Sequence, residues 1–223
     1  MAGERIIVDG ARFVLTASQW ILDTIQTVLQ HNERCHLMLA GGGTPLPVYR
    51  KLSQQEIPWE KITIFFGDER CVPPTHEASN YRMAVEALFP HGLPDDLILH
   101  RMHGEDDPET AAEAYEAILP EQIDILLLGL GEDGHTASLF PDSDSLEEWQ
   151  RRIIPVVGSK PPPQRLTISP AVVRSAKQTL MMVEGDGKAD AVRRALEVGD
   201  VPATLADEAT WLMDRAAALA LSD

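Results

Sequence analysis

The residues best suited to chemistry are Asp133 and His135, in the stretch Gly131-Glu132-Asp133-Gly134-His135-Thr136-Ala137-Ser138-Leu139-Phe140-Pro141. An ordinary imidazole titrates near 6.5, so at pH 7 or above it is mostly neutral and can take a proton from water as a general base. The plainer alternative for His135 is a structural histidine bonded to backbone. Asp133 beside it, and glycines at 129, 131 and 134 that let backbone approach a small molecule, favour the catalytic alternative. Arg70, in Gly67-Asp68-Glu69-Arg70, offers a planar donor fork for a carboxylate, a phosphate or a developing oxyanion, or else a salt bridge to Asp68 or Glu69. Gly41-Gly42-Gly43 followed by Thr44-Pro45 reads as a turn into a helix, whose exposed amides and dipole attract phosphate. Arg165 and Lys188 are candidate phosphate ligands, or else surface cations.

Several other chemistries are excluded by what is missing. No Gly-x-Ser-x-Gly elbow occurs, so direct attack by water is simpler than a serine nucleophile. The loop at 41–44 lacks both the Gly-Lys-Ser/Thr ending of a nucleotide loop and the spaced glycines of a dinucleotide fingerprint. The histidines at 31, 36, 76, 91, 100 and 103 have no paired helical spacing, and no metal site is expected. Cys35 and Cys71 have no metal-ligand spacing and are too few for a disulfide framework, so both are expected to be reduced. A formal net charge of −16 argues against a nucleic-acid partner. It does not exclude a small anion, because a few of the 19 basic residues can be gathered at one place.

These groups need elements to position them. Apolar runs of strand length alternate with helix-period stretches, which predicts an α/β fold, and no linker-like stretch divides the chain, which predicts one domain over residues 1–223. Strands are expected at 6–8 (or near 13–15), 36–40, 62–66, 125–128, 165–169, 179–183 and 211–213. Helices are expected from Ser18 with Ile21, Ile25, Val28 and Leu29 on one face, and from Pro45 with Thr44 as N-cap. Others are expected at 80–88, at 108–119, after Lys188 through Leu196, and from Asp214 in an Ala-rich tail. Pro161-Pro162-Pro163 reads as an extended connection. No apolar run approaches the roughly 20 residues of a membrane span, and Met-Ala-Gly-Glu-Arg lacks the order of a signal peptide. The expectation is a cytoplasmic protein with no membrane partner. If the strands are parallel, the Gly loop, the Asp-Glu-Arg cluster, the Asp-Gly-His cluster and the Gly187-Lys188 pair meet at one edge of the sheet.

Taken together, Gly129 to Pro141, Gly41 to Pro45, Gly67 to Arg70 with Val72-Pro73 and Ser79-Asn80-Tyr81, and Arg165-Leu166-Thr167 with Gly187-Lys188 resemble the 6-phosphogluconolactonase family over nearly the whole chain. The resemblance implies a three-layer α/β/α fold with a mostly parallel central sheet, similar to glucosamine-6-phosphate deaminase. It implies hydrolysis of a sugar-phosphate lactone, 6-phospho-D-glucono-1,5-lactone, without metal or organic cofactor, by a monomer or weak homodimer. Carried onto this chain, His135 is the base, Asp68, Arg70 and Asp133 line the sugar end, and Gly42, Gly43 and Thr44 with Arg165 and Lys188 hold the phosphate. One departure stands out: where the family usually has Ser-Gly-Gly-Ser-Thr-Pro, this chain has Ala40-Gly41-Gly42-Gly43-Thr44-Pro45 and two hydroxyls fewer. An amino-sugar-phosphate isomerase or deaminase would use the same loops, but the family branch with that activity places a Glu after its Gly-His, and Thr136 to Pro141 supplies none. A sugar-phosphate sensor domain is the other alternative, and the segment before Ser18 is too short for a helix-turn-helix.

Overall fold

The computed structural model describes residues 3–222. In chain order the elements are β1 (Arg5–Val8), α1 (Gly10–His31), β2 (Cys35–Leu39), α2 (Pro45–Leu52), β3 (Ile62–Phe66), β4 (Asp68–Arg70), α3 (Asn80–Leu88) and β5 (Ile98–Leu99). They continue with α4 (Pro108–Ile118), β6 (Ile125–Gly129), β7 (Ile153–Val157), β8 (Gln164–Ile168), α5 (Pro170–Ser175), β9 (Gln178–Val183), α6 (Ala189–Arg193) and β10 (Thr210–Asp214). The main sheet has the order β1-β10-β9-β6-β2-β3-β5, and every neighbouring pair is parallel.

Parallel strands must be covered on both faces, which is why their runs are continuously apolar. Along β6, Ile125 and Leu127 face the core under α1, α2 and α3, whereas Leu126 and Leu128 face the core under α4, α5 and α6. The result is a three-layer α/β/α arrangement. Each fully buried Leu or Ile contributes roughly 1.5–3 kcal/mol, and with β6 and its neighbours buried this way the sheet is a rigid base for the loops at its edge.

The order of the strands decides where a ligand goes. From β2 the chain builds outward through β3 to β5, then returns to lay β6 on the other side of β2 and builds outward again through β9 and β10. β2 and β6 are therefore the neighbours between which the order reverses, and the crevice beyond their C-terminal ends is the usual ligand position in such sheets. The Gly loop leaves β2 there, and the His135 loop leaves β6 there.

A second, antiparallel sheet, β4-β8-β7, stands at the same edge. Past β3 the chain bends at Gly67, whose N–H donates to Leu39 O and whose carbonyl accepts from Ile168 N, and it enters β4. This carries Asp68 and Arg70 out of the main sheet and sets Arg70 opposite Arg165.

The structure corrects several expected boundaries. The helix predicted from Ser18 begins at Gly10, because Phe13, Ala17, Ile21 and Ile25 form one buried stripe at a spacing of four; 13–15 is helix, and β1 is the early strand. The tail after Asp214 is a string of turns rather than a helix. Asp214 Oδ1 accepts from Ala217 N and Gly185 N, and most of the backbone bonds that follow span three residues instead of four. β7 was not foreseen; it contains Pro155, which is tolerated because β7 is an edge strand bonded only to β8. Pro161 to Pro163 lie in the β7–β8 connection, closed by Gly158 N donating to Pro163 O. The helix after Lys188 ends as α-helix at Arg193 and continues as a π turn, Arg194–Val198. Among the described residues no helix is long and apolar enough to cross a membrane.

Candidate active site

The C-terminal ends of β2, β3 and β6 and the mouth of the small sheet enclose a cavity of about 200 Å³. Eight of the residues singled out from sequence line it: Asp68, Arg70, His135, Gly42, Gly43, Thr44, Arg165 and Lys188. Asp133 does not. It lies behind the imidazole, on the neighbouring cleft between residues 140–148 and 154–159, so its expected place along the sugar end is corrected. His135 Nδ1 is 2.5 Å from Asp133 Oδ1, and the His135 backbone N–H lies 3.3 Å from the same oxygen.

That contact determines the tautomer. An ionised carboxylate only accepts, so Nδ1 carries the proton and Nε2 is left with a free lone pair. Burial pushes the Asp133 carboxyl up, but its hydrogen bonds and electrostatic interaction with His135 outweigh this and hold it below the ordinary carboxylate value. The ring is further fixed by Phe140, with centroids 4.9 Å apart. Gly131 makes room for the pair: a Cβ at that position would overlap both the imidazole and the Asp133 carboxylate. The loop closes on itself through Gly131 N to His135 O at 2.8 Å and Thr136 Oγ1 to Gly129 O at 2.9 Å.

The Gly loop departs from expectation in one respect. Thr44 precedes α2 but is itself helical (φ −62°, ψ −44°) and makes no side-chain cap, since capping needs an extended residue to turn the hydroxyl back onto the first turn. Pro45 and Pro47 remove two amide donors from the start of α2, so the loop's own amides must supply the donors instead. Gly42, at φ +96°, adopts the left-handed conformation that turns the loop.

The electrostatics of the wall run against those of the whole protein. In a chain of net charge −16, the cavity is lined by Arg70, Lys160, Arg165 and Lys188 against Asp68 and Glu132. Arg165 is buried, and burial together with neighbouring Arg70 pushes its pKa below the usual guanidinium value. Its Nε and that of Arg70 are both buried without a hydrogen-bond partner. The alternative of an Arg70 salt bridge to Asp68 or Glu69 is not formed among the described residues: Arg70 Nη1 donates to Ala78 O, and Glu69 is occupied by the N–H groups of Arg70, Asn80 and Tyr81 and by the Ser79 hydroxyl. Two donor-rich cations with spare N–H groups, beside a loop whose Gly42 and Gly43 are exposed, are suited to receive an anion. Lys188 and Lys160 make no ion pair among the described residues.

Asn80, Ser138, Lys160 and Glu132 were not singled out as site residues, although Asn80, Lys160 and Glu132 line the cavity and Ser138 bonds Asp68. The position of Asn80 just after the helix cap Ser79 is a signal that could have found it. Lys160 reaches the site only because the β7–β8 hairpin folds over it, and nothing local in the sequence announces that. Among the described residues no group of three or more His, Cys, Asp and Glu side chains is placed to hold a metal ion.

Fold and site define an α/β protein with a cavity at the switch point of a parallel sheet, between the His135–Asp133 pair and a cluster of cations. The chain belongs to the 6-phosphogluconolactonase family: residues 9–213 match the family described as "Glucosamine-6-phosphate isomerases/6-phosphogluconolactonase". A Mycobacterium tuberculosis relative named 6-phosphogluconolactonase is 34% identical over 240 residues, covering 97% of each chain. The chain is also similar to the crystal structure of a Thermotoga maritima 6-phosphogluconolactonase, with TM-score 0.87 and 28% identity over 96% of this chain and all of that one. A monomeric glucosamine-6-phosphate deaminase shares the fold at TM-score 0.83 and 25% identity, over 98% of this chain and all of that one. Within this family the chain is an enzyme of the hydrolase class acting in carbohydrate metabolism.

Proposed function

We propose that this enzyme hydrolyses 6-phospho-D-glucono-1,5-lactone to 6-phospho-D-gluconate, the second step of the oxidative pentose phosphate pathway, with His135 activating the water. The observation that carries the reading is a base with its Nε2 lone pair free, held by Asp133, in a cavity whose other walls gather Arg70, Arg165, Lys160 and Lys188. The Gly loop with Arg165 and Lys188 binds the phosphate and presents the lactone carbonyl to His135, turning a bimolecular hydrolysis into a positioned one. Neutral His135 takes one proton from water as the oxygen bonds to C1. Arg70 and loop amides stabilise the oxyanion, a contribution of roughly 3 kcal/mol per donor in other enzymes. The C1–ring oxygen bond then breaks, and the imidazolium returns its proton to the departing ring oxygen. The same reading makes residues 1–223 one working domain, cytoplasmic, free of metal and organic cofactor, and monomeric or weakly dimeric.

The test is the decay of lactone generated in situ, followed by NMR against its spontaneous hydrolysis. Acceleration by the folded protein supports the reading; none overturns it, and ammonia release from glucosamine 6-phosphate would then favour the deaminase alternative. In this assay Lys188→Ala is expected to raise KM by about ten- to a hundredfold, the scale of a charge-assisted contact, with kcat little changed. Gly131→Ala is expected to act on kcat instead, lowering it by about a hundredfold, because displacing a catalytic group by about 1 Å has that effect. A Gly131→Ala enzyme with wild-type kcat would show that the loop accommodates the extra methyl without moving the base.

A further inference from the structure

Asp68 is one of two carboxylates in the cavity wall, with Glu132, to which the proposed reaction gives no step. It is 6% exposed, and each of its oxygens already has a donor: the Asn80 amide at 2.9 Å on Oδ1 and the Ser138 hydroxyl at 2.6 Å on Oδ2. Both donors are themselves fixed. Asn80 gives a second hydrogen to the Asp68 carbonyl, and its backbone N–H is held by Glu69, which clamps the start of α3. Ser138 donates its backbone N–H to the hydroxyl of Thr167, the residue paired with Asp68 across β4 and β8. The left-handed turn at Ala137 (φ 47°) precedes it, a conformation that non-glycine residues rarely adopt and that persists when the surroundings impose it.

A carboxylate offers about four acceptor positions, and these bonds use one on each oxygen. Acceptor capacity therefore remains on a residue that lines the cavity. An ionised carboxylate repels both the phosphate and the oxyanion at C1, so hydroxyl groups are what it can receive from a phosphorylated sugar lactone. Resting on the lactonase reading, we propose that Ser138 and Asn80 are positioning residues: they hold the Asp68 carboxylate in one orientation as the acceptor for a sugar hydroxyl. Asp68 thereby selects the hydroxylated ring and takes no part in proton transfer. The catalytic loop carries both devices, since His135 and Ser138 are three residues apart, one facing the bond to be broken and the other fixing the acceptor that reads the ring.

The experiment compares wild type, Ser138→Ala, Ser138→Thr, Asn80→Ala and Asp68→Asn, each with a melting curve, on 6-phosphogluconolactone and on lactones lacking one ring hydroxyl at a time. Ser138→Ala and Asn80→Ala are expected to lower kcat/KM at least tenfold, mainly through KM with kcat little changed, and Ser138→Thr is expected to restore it. Asp68→Asn is expected to lose the preference for the full lactone over one of the deoxy lactones. Folded Ser138→Ala and Asn80→Ala enzymes with wild-type kcat/KM would overturn the proposal, as would Asp68→Asn losing kcat at unchanged KM and discrimination. If Ser138→Ala does not fold, Asn80→Ala carries the same comparison. A wild-type protein inactive on the lactone overturns the functional reading instead, which is a separate result.

Discussion

His135→Ala is expected to lower kcat for lactone hydrolysis by about 10³-fold, within the 10²–10⁴ range of a positioned general base, and to change KM by no more than a few-fold. The asymmetry comes from the arrangement of the cavity. His135 shares its loop with Asp133 and packs on Phe140, whereas the Gly loop, Arg165 and Lys188 belong to β2, β8 and the start of α6 and make no hydrogen bond to the imidazole. Truncating the ring therefore removes the proton acceptor and leaves the anion receptor standing. What remains above the spontaneous rate comes from positioning and oxyanion donors. Added imidazole should recover part of the rate, since the truncation leaves space beside Phe140. A variant that binds the lactone weakly but turns it over at the wild-type kcat would remove His135 from the chemistry.

Much of this arrangement is readable from residue order, and the reason is topological. In a parallel sheet each strand delivers its following loop to the same edge, so recognising β2, β3, β6 and β9 as apolar runs was enough to bring together Gly42, Arg70, His135 and Lys188. What failed was whatever depends on a neighbour distant in sequence. Asp133 looks like a cavity residue when counted along the chain; only the fold of the loop, tightened by Gly131 and the Gly134 turn, sends its carboxylate behind the imidazole. Arg165 reads as part of one more strand of the same sheet, but it belongs to an antiparallel sheet that exists because the chain bends at Gly67. Helix α1 was started eight residues late because Val14 and Leu15 blur the four-residue stripe of Phe13, Ala17, Ile21 and Ile25 that the core actually takes. Short runs of apolar residues carry both periods, and the burial that settles between them is tertiary.

The acidic character of the chain also has a role at this site. With net charge −16, the protein repels a phosphorylated anion at long range, and that repulsion is screened beyond about 8–10 Å at ordinary salt. Selectivity must therefore come from short-range groups, and the wall supplies them as cations whose Nε donors are already desolvated. In the proposed function a substrate phosphate or oxyanion would meet cations whose Nε donors have no internal partner to displace.

Asp133→Asn is the second large effect, and its value lies in how little it changes the shape. In the proposed mechanism the wild-type carboxylate accepts from Nδ1–H, leaving Nε2 as the base. An Asn amide can instead donate to Nδ1, which moves the ring proton to Nε2 and turns the base into a donor aimed at the water. The analogous change in a Ser-His-Asp triad lowers kcat by about 10⁴-fold without altering the geometry, so a loss of about 10²–10⁴ in kcat is expected here. Asp133→Ala removes the orienting partner without imposing the wrong tautomer, and is expected to be no worse than Asp133→Asn despite the poorer fit. The pH dependence adds a second check. Because the Asp133 carboxyl is held below its ordinary value, it stays ionised as pH falls until well into the acid range. Its protonation therefore contributes no limb to the wild-type profile near neutrality. Nitrogen NMR of His135 reads the tautomer directly: a proton on Nδ1 in the wild type and on Nε2 in Asp133→Asn. An Asp133→Asn enzyme with full kcat and its proton still on Nδ1 would show that the carboxylate only tethers the loop.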